Sequence, residues 1–193
     1  MRYLFFILFI LCSCSKNTQI NPEDQEENTS RQVDAIPIEY VEIYLLDNLN
    51  EDRGYCIDVK GSKVNANPEN GLQVHTCYSY QGEISVDQGF DENKTEEDEF
   101  YMPYFDLCMQ AENIIESSNI ELKSCNKNEK QKFSFNDQGE IVALNNSNLC
   151  LTVSKNARDG GGGDPIHKIR DLSLEICSED ISSRQKWGQR KIQ

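Results

Sequence analysis

Eight cysteines and two histidines are the residues of this 193-residue chain best suited to covalent or metal chemistry. Six of the cysteines, Cys56, Cys77, Cys108, Cys125, Cys150 and Cys177, are spread along the body of the chain, an even number. They include no C-x-x-C pair, and His75 and His167 stand far apart, so the spacing of a zinc site is missing and no metal or other cofactor is expected. Catalytic signatures are equally scarce. The sequence contains neither a G-x-S-x-G nucleophile turn nor an H-E-x-x-H helix, and His167 follows the run Gly160 to Gly163. Those four glycines lack the Lys-Ser or Lys-Thr that completes a phosphate-cradling loop, so they are expected to form a flexible excursion. The chain is not expected to be an enzyme.

The other two cysteines belong to the N-terminus. Met1 and Arg2 precede the apolar run Tyr3 to Leu11, which ends in Cys12-Ser13-Cys14. A bilayer core needs about 20 apolar residues, so this run is too short to span one and has the form of a secretory signal peptide. Export is therefore expected, with residues 1–13 removed. Leu11-Cys12-Ser13-Cys14 also resembles the bacterial lipobox, which implies a lipid on Cys14 and a place in the cell envelope or outer membrane; the alternative is plain cleavage and a secreted protein. Export into an oxidising compartment makes disulfides the expected state of the six body cysteines.

Charge narrows the partners. The formal net charge is −14, and losing Arg2 leaves −15. Phosphate backbones are gripped by Lys and Arg clusters, whereas the runs here, Glu23 to Glu27 and Asp91 to Glu99, are acidic, so nucleic acid is excluded as an expected partner. Anionic lipid headgroups would also repel this chain, leaving the lipid as the means of membrane attachment. Residues 14–35 hold almost nothing apolar and are expected to be a lipidated N-terminus and a disordered acidic tether. The remainder, 36–193, has the size of one domain. A monomer is expected.

The elements that position these residues repeat three times. Each odd cysteine opens an apolar alternation: Cys56-Ile57-Asp58-Val59, Cys108-Met109-Gln110-Ala111 and Cys150-Leu151-Thr152-Val153. Each even one closes another: Leu72 to Cys77, Ile120 to Cys125 and Leu172 to Cys177. Period-two patterns of this length predict half-buried strands. A Gln with an aromatic two positions later then follows: Gln88 and Phe90, Gln131 and Phe133, Gln185 and Trp187. The intervals differ by up to ten residues, which surface loops absorb at low cost. Two loops look enlarged, 78–87 and 156–170.

Three copies of a Cys-Φ-Asp-like strand, a strand ending at a second Cys, and a Q-x-W or Q-x-F mark resemble the ricin B-type lectin repeat over residues 40 to 190. The resemblance implies an all-β fold, a β-trefoil of three four-stranded units about a pseudo-threefold axis. It also implies bridges within each repeat, Cys56–Cys77, Cys108–Cys125 and Cys150–Cys177, and core roles for Phe90, Phe133 and Trp187. Its sugar site, galactose-type or otherwise, would take Asp58, Gln73, His75, Asp87 and Gln88 from the first repeat. There His75 replaces the more usual Trp or Tyr and Asp87 the more usual Asn, so Tyr78 or Tyr80 would have to supply the missing ring. The second repeat offers Gln110, Glu121, Lys123, Lys130 and Gln131 at those places, and the third Thr152, Ser173, Glu175, Arg184 and Gln185, neither an intact polar set. The expected function is a glycan-binding envelope lipoprotein. The competing expectation is a non-catalytic lipoprotein whose trefoil binds another protein.

Overall fold

The apolar alternations around the paired cysteines become hairpins. In the computed structural model, which describes residues 37–191, the first hairpin joins β2 (Tyr55–Val59) to β3 (Leu72–Thr76), preceded by β1 (Tyr40–Leu45) and followed by β4 (Gly89–Asp91). The second repeat has β5 (Tyr101–Met102), β6 (Leu107–Ala111), β7 (Ser118–Lys123) and β8 (Phe133–Phe135). The third has β9 (Ile141–Ala143), β10 (Asn146–Val153), β12 (Lys168–Ile176) and β13 (Trp187–Arg190), with a two-residue β11 (Arg158–Asp159) added. One short helix, α1 (Glu92–Glu96), follows β4. The expected signal peptide, Cys14 and the tether lie outside the described residues.

The outer strands of the repeats close the barrel. β1 pairs antiparallel with both β13 and β4, and β8 pairs with β9. Isolated bridges Glu99 to Lys132 and Glu140 to Lys186 extend the ladder. The three hairpins meet at one end, where β12 pairs with β3 and with β7. This is a β-trefoil, and its closure protects edges that short strands would otherwise expose.

Each hairpin is stapled near its base. Cys56–Cys77, Cys108–Cys125 and Cys150–Cys177 are bridged, with sequence separations of 21, 17 and 27 residues. Loops of that size let a disulfide contribute roughly 3 kcal/mol by restricting the unfolded chain. Phe90, Phe133 and Trp187 lie in the core, at most 2 % exposed. Phe100 meets Phe90 and Phe133 edge-on, with ring centroids 6.2 and 6.3 Å away. Trp187 adds a hydrogen bond from Nε1 to the Leu151 carbonyl at 2.9 Å.

One expectation needs correction. β2 and β3 are buried on both faces, where alternation predicted half-buried strands. β7 keeps the alternation, because its outward side chains meet solvent. The outward face of β3 is covered by the glycine-bearing stretch 156–170, which folds back as a hairpin. β11 pairs with the start of β12, Arg158 opposite Ile169 and Asp159 opposite Lys168, and Ile169 in turn stands opposite His75 of β3. The third repeat thus reaches over the first.

Candidate functional site

The glutamine of each Q-x-aromatic mark forms the same clamp three times. Its Nε2 donates to the carbonyl just before the second cysteine: Gln88 to Thr76 at 3.2 Å, Gln131 to Ser124 at 2.9 Å, Gln185 to Ile176 at 3.0 Å. Its Oε1 accepts the amide just after that cysteine, from Tyr78, Asn126 and Ser178, each at 2.9 Å. The same Nε2 also reaches the side chain two residues past the first cysteine: Asp58 at 3.2 Å, Gln110 at 3.1 Å and Thr152 at 2.8 Å. The clamp therefore fixes the hairpin base and the residue that differs from repeat to repeat.

In the first repeat the five sequence-predicted residues come together. Asp58 and Gln73 stand opposite each other in the β2–β3 ladder, so both side chains leave the same face, and Gln73 Nε2 donates to Asp58 Oδ1 at 2.9 Å. The other Asp58 oxygen takes the Gln88 amide. His75 donates from Nδ1 to the Thr76 carbonyl at 2.8 Å and stacks on Tyr78, centroids 5.1 Å apart and planes 29° off parallel. Tyr78, from the loop after Cys77, therefore supplies a ring beside His75. Asp87 accepts short hydrogen bonds from the Ser85 hydroxyl and the Lys63 amide, so both its oxygens serve the surrounding loops.

Burial sets the electrostatics. Asp58 is 1 % exposed, and removal from water, reinforced by the neighbouring charge of Asp87, lifts its carboxyl well above the usual carboxylate range, against the two glutamine bonds. Burial likewise lowers the His75 imidazole and raises the Tyr78 phenol.

The five residues are closed off from solvent. Asp58, Gln73, His75, Asp87 and Gln88 are at most 4 % exposed. The His167 ring covers His75, meeting it edge-on at 4.9 Å and Tyr78 at 5.5 Å. The Tyr80 hydroxyl, which accepts from Gln81, is in hydrogen-bond contact with His167 Nε2 at 3.1 Å. Arg158 adds a bond to Gln73 Oε1 at 3.2 Å. Cavities of about 650 and 380 Å³ open at the corresponding places of the other repeats, beside Gln110 and Lys123 in the second and Thr152 and Ser173 in the third.

Sequence reasoning did not place His167, Arg158, Lys63 or Thr76 at the site. A usable signal existed for His167, since the only two histidines of the chain occur in the first-repeat strand and the enlarged third-repeat loop.

The family described as the ricin-type beta-trefoil lectin domain matches residues 46–187. Among solved structures the fold is similar to the C-terminal half of an earthworm R-type lectin in complex with GalNAc, at 18% identity. That match covers 79% of this chain and 98% of the other, with a TM-score of 0.53. A designed threefold-symmetric protein, ThreeFoil, is 17% identical over 78% of this chain and 96% of its own, with a TM-score of 0.55. The agglutinin from Abrus precatorius is 17% identical over 83% of this chain and 51% of its own, also at 0.55. No curated protein matches the chain.

Proposed function

Because the chain belongs to the family of ricin-type β-trefoil lectin domains, we propose that it is a carbohydrate-binding protein of the cell envelope, with its sugar site in the first repeat and a lipid on Cys14 as its membrane anchor. One observation carries the site assignment. Asp58, Gln73 and Gln88 form a single hydrogen-bonded set beside the stacked rings of His75 and Tyr78. A carboxyl and two amides match paired sugar hydroxyls, and the rings offer a flat surface to the apolar face of a pyranose. Neither other repeat combines these groups. The family and the similarity to sugar-bound lectins support binding of glycans in general; the galactose type rests on the five residues alone.

The lipid rests on Leu11-Cys12-Ser13-Cys14. Two or more acyl chains would hold the protein stably where one gives only marginal binding. A second reading, an envelope lipoprotein whose trefoil binds another protein, is favoured by the closure of the pocket over all five residues.

A glycan array separates the two. The lectin reading expects galactose-terminated glycans to be retained by the wild type and lost with Asp58→Ala, provided the variant keeps a cooperative melt. Binding that survives the substitution removes the first-repeat site. An array left blank by the wild type, while a membrane extract yields a bound protein dependent on the same face, favours the second reading.

A further inference from the structure

The tip of the third-repeat hairpin lies over the first-repeat residues, held by the packing of the His167 ring and by a few polar bonds. Arg53 donates from Nη1 to the Pro165 carbonyl at 3.0 Å and from Nη2 to the Ile166 carbonyl at 3.2 Å, while Glu51 holds the same guanidinium from behind at 2.6 Å. Tyr80 holds His167 through the 3.1 Å hydrogen bond between its hydroxyl and Nε2, and Tyr80 itself is half exposed beneath the Arg53 guanidinium, 5.3 Å from the ring centroid. Within the tip, His167 donates its amide to the Gly162 carbonyl at 3.0 Å and Gly160 donates to the His167 carbonyl at 2.7 Å. Below the tip the chain is fixed far more firmly. Arg170 reaches the carbonyls of Ser154 and Lys155 and the Asn50 side chain, and β12 runs into the core.

One end of the hairpin is therefore rigid and the other is a glycine-rich tip. Gly162 and Gly163 have positive φ, 75° and 82°, and a Cβ on Gly163 would overlap the His167 ring. Only glycine at 163 lets the imidazole fold down onto His75. Although buried, that imidazole leaves Nδ1 without a hydrogen-bond partner. A polar ring nitrogen held out of water without a partner weakens the closed arrangement, since solvent would satisfy it on opening.

We infer that residues 160–167 are a lid over the first-repeat pocket, with His167 as its plug, and that a glycan enters by displacing the imidazole from between His75, Tyr78 and Tyr80. The inference rests on the sugar-site reading above and adds its regulation. The open form uncovers the His75–Tyr78 rings beside the Asp58–Gln73 pair, so ligand affinity scales with the fraction of molecules whose lid is open. Opening breaks the Arg53 and Tyr80 contacts and leaves the three disulfides and the β3–β12 ladder intact.

The test compares the wild type, Arg53→Ala and His167→Ala. Association with an immobilised glycoprotein bearing terminal galactose is followed by surface plasmon resonance, and amide hydrogen exchange by NMR on the same samples. The lid predicts association at least tenfold faster for both variants, little change in dissociation, and faster exchange at Gly160 in Arg53→Ala while Leu174 stays protected. Equal association rates in three proteins that all bind overturn it. So does a Gly160 amide as slow as that of Leu174 in the wild type and in Arg53→Ala. If none of the three binds sugar while Gly160 exchanges faster in Arg53→Ala, the lid stands and the sugar reading falls.

Discussion

His167 lies edge-on against His75, ring centroids 4.9 Å apart and planes at 80°, although one belongs to the third repeat and the other to the first. The trefoil brings them together by pairing β12 with β3, which aligns Ile169 with His75 and delivers the hairpin tip onto the first-repeat site. That one contact joins the fold's pseudo-symmetry to the departure from it, because the other two repeats keep their corresponding places open.

Acid should weaken this contact. Both imidazoles are held below their ordinary value of 6.5, chiefly by burial. Arg53 and Lys63 also oppose a proton on His167 while Glu51 favours one; on His75, Arg53 and His167 oppose it and Asp87 favours it. A group with a lowered folded pKa contributes stability above its unfolded value that is lost as pH falls through the folded one. Melting temperatures measured between pH 7 and 5 should fall more steeply in the wild type than in His167→Asn. Identical slopes would show that His167 titrates alike in both states. Asp58 works in the opposite sense, since its raised folded value removes stability as pH rises past the ordinary Asp range, but it is common to both proteins.

Gly163→Ala should swing His167 out without disturbing the core. The added Cβ overlaps the imidazole and the backbone is left-handed there, so the strain is relieved most cheaply by moving the tip. Proton NMR should show His75 and Tyr78 ring resonances shifted and His75 open to diethyl pyrocarbonate, with Trp187 resonances unmoved. An unreactive His75 in a folded variant would contradict the packing described.

Trp187→Phe makes the third repeat match the other two at the Q-x-aromatic mark. Phe fits that position elsewhere, but the buried Leu151 carbonyl loses the indole N–H. A loss of about 1–3 kcal/mol is expected in urea melts followed by circular dichroism. A neutral result would mean that the carbonyl finds another donor.

Gln131→Ala tests the clamp away from the sugar site. It strips partners from the Asn126 and Lys127 amides and the Ser124 carbonyl at the base of the second hairpin. Partial exposure there limits the cost to about 1–3 kcal/mol, again read from urea melts, and glycan binding by the first repeat should be unaffected.

The sequence made the fold legible because its marks recur. Cysteines, apolar alternations and the Q-x-aromatic glutamines each repeat at positions where one wrong reading is corrected by two others. One recurring mark went unread. Glu42, Glu99 and Glu140 each precede an apolar residue buried in the core, Ile43, Phe100 and Ile141, and each stands across the ladder from a basic residue, Arg190, Lys132 and Lys186. In so acidic a chain those carboxylates do not stand out. Asp58, Gln73 and His75 were legible because they sit at fixed offsets from Cys56 and Cys77 on one hairpin, and Asp87 and Gln88 because they belong to the Q-x-aromatic mark. The cover over His75 and Gln73 was not, since His167 and Arg158, which supply it, are remote in sequence and local only after β12 has paired with β3. Gly160 to Gly163 suggested flexibility, and nothing nearby in sequence announced what the tip would cover.

The site assignment is tested most directly by titrating 15N-labelled protein with lactose and following side-chain amide and imidazole signals. Binding at the first repeat predicts saturable shifts at Gln73 and Gln88 Nε2 and at the rings of His75 and His167, with Gln110, Gln131 and Gln185 unmoved. Shifts confined to Gln131 or Gln185, or none in the wild type and in His167→Ala alike, would contradict it.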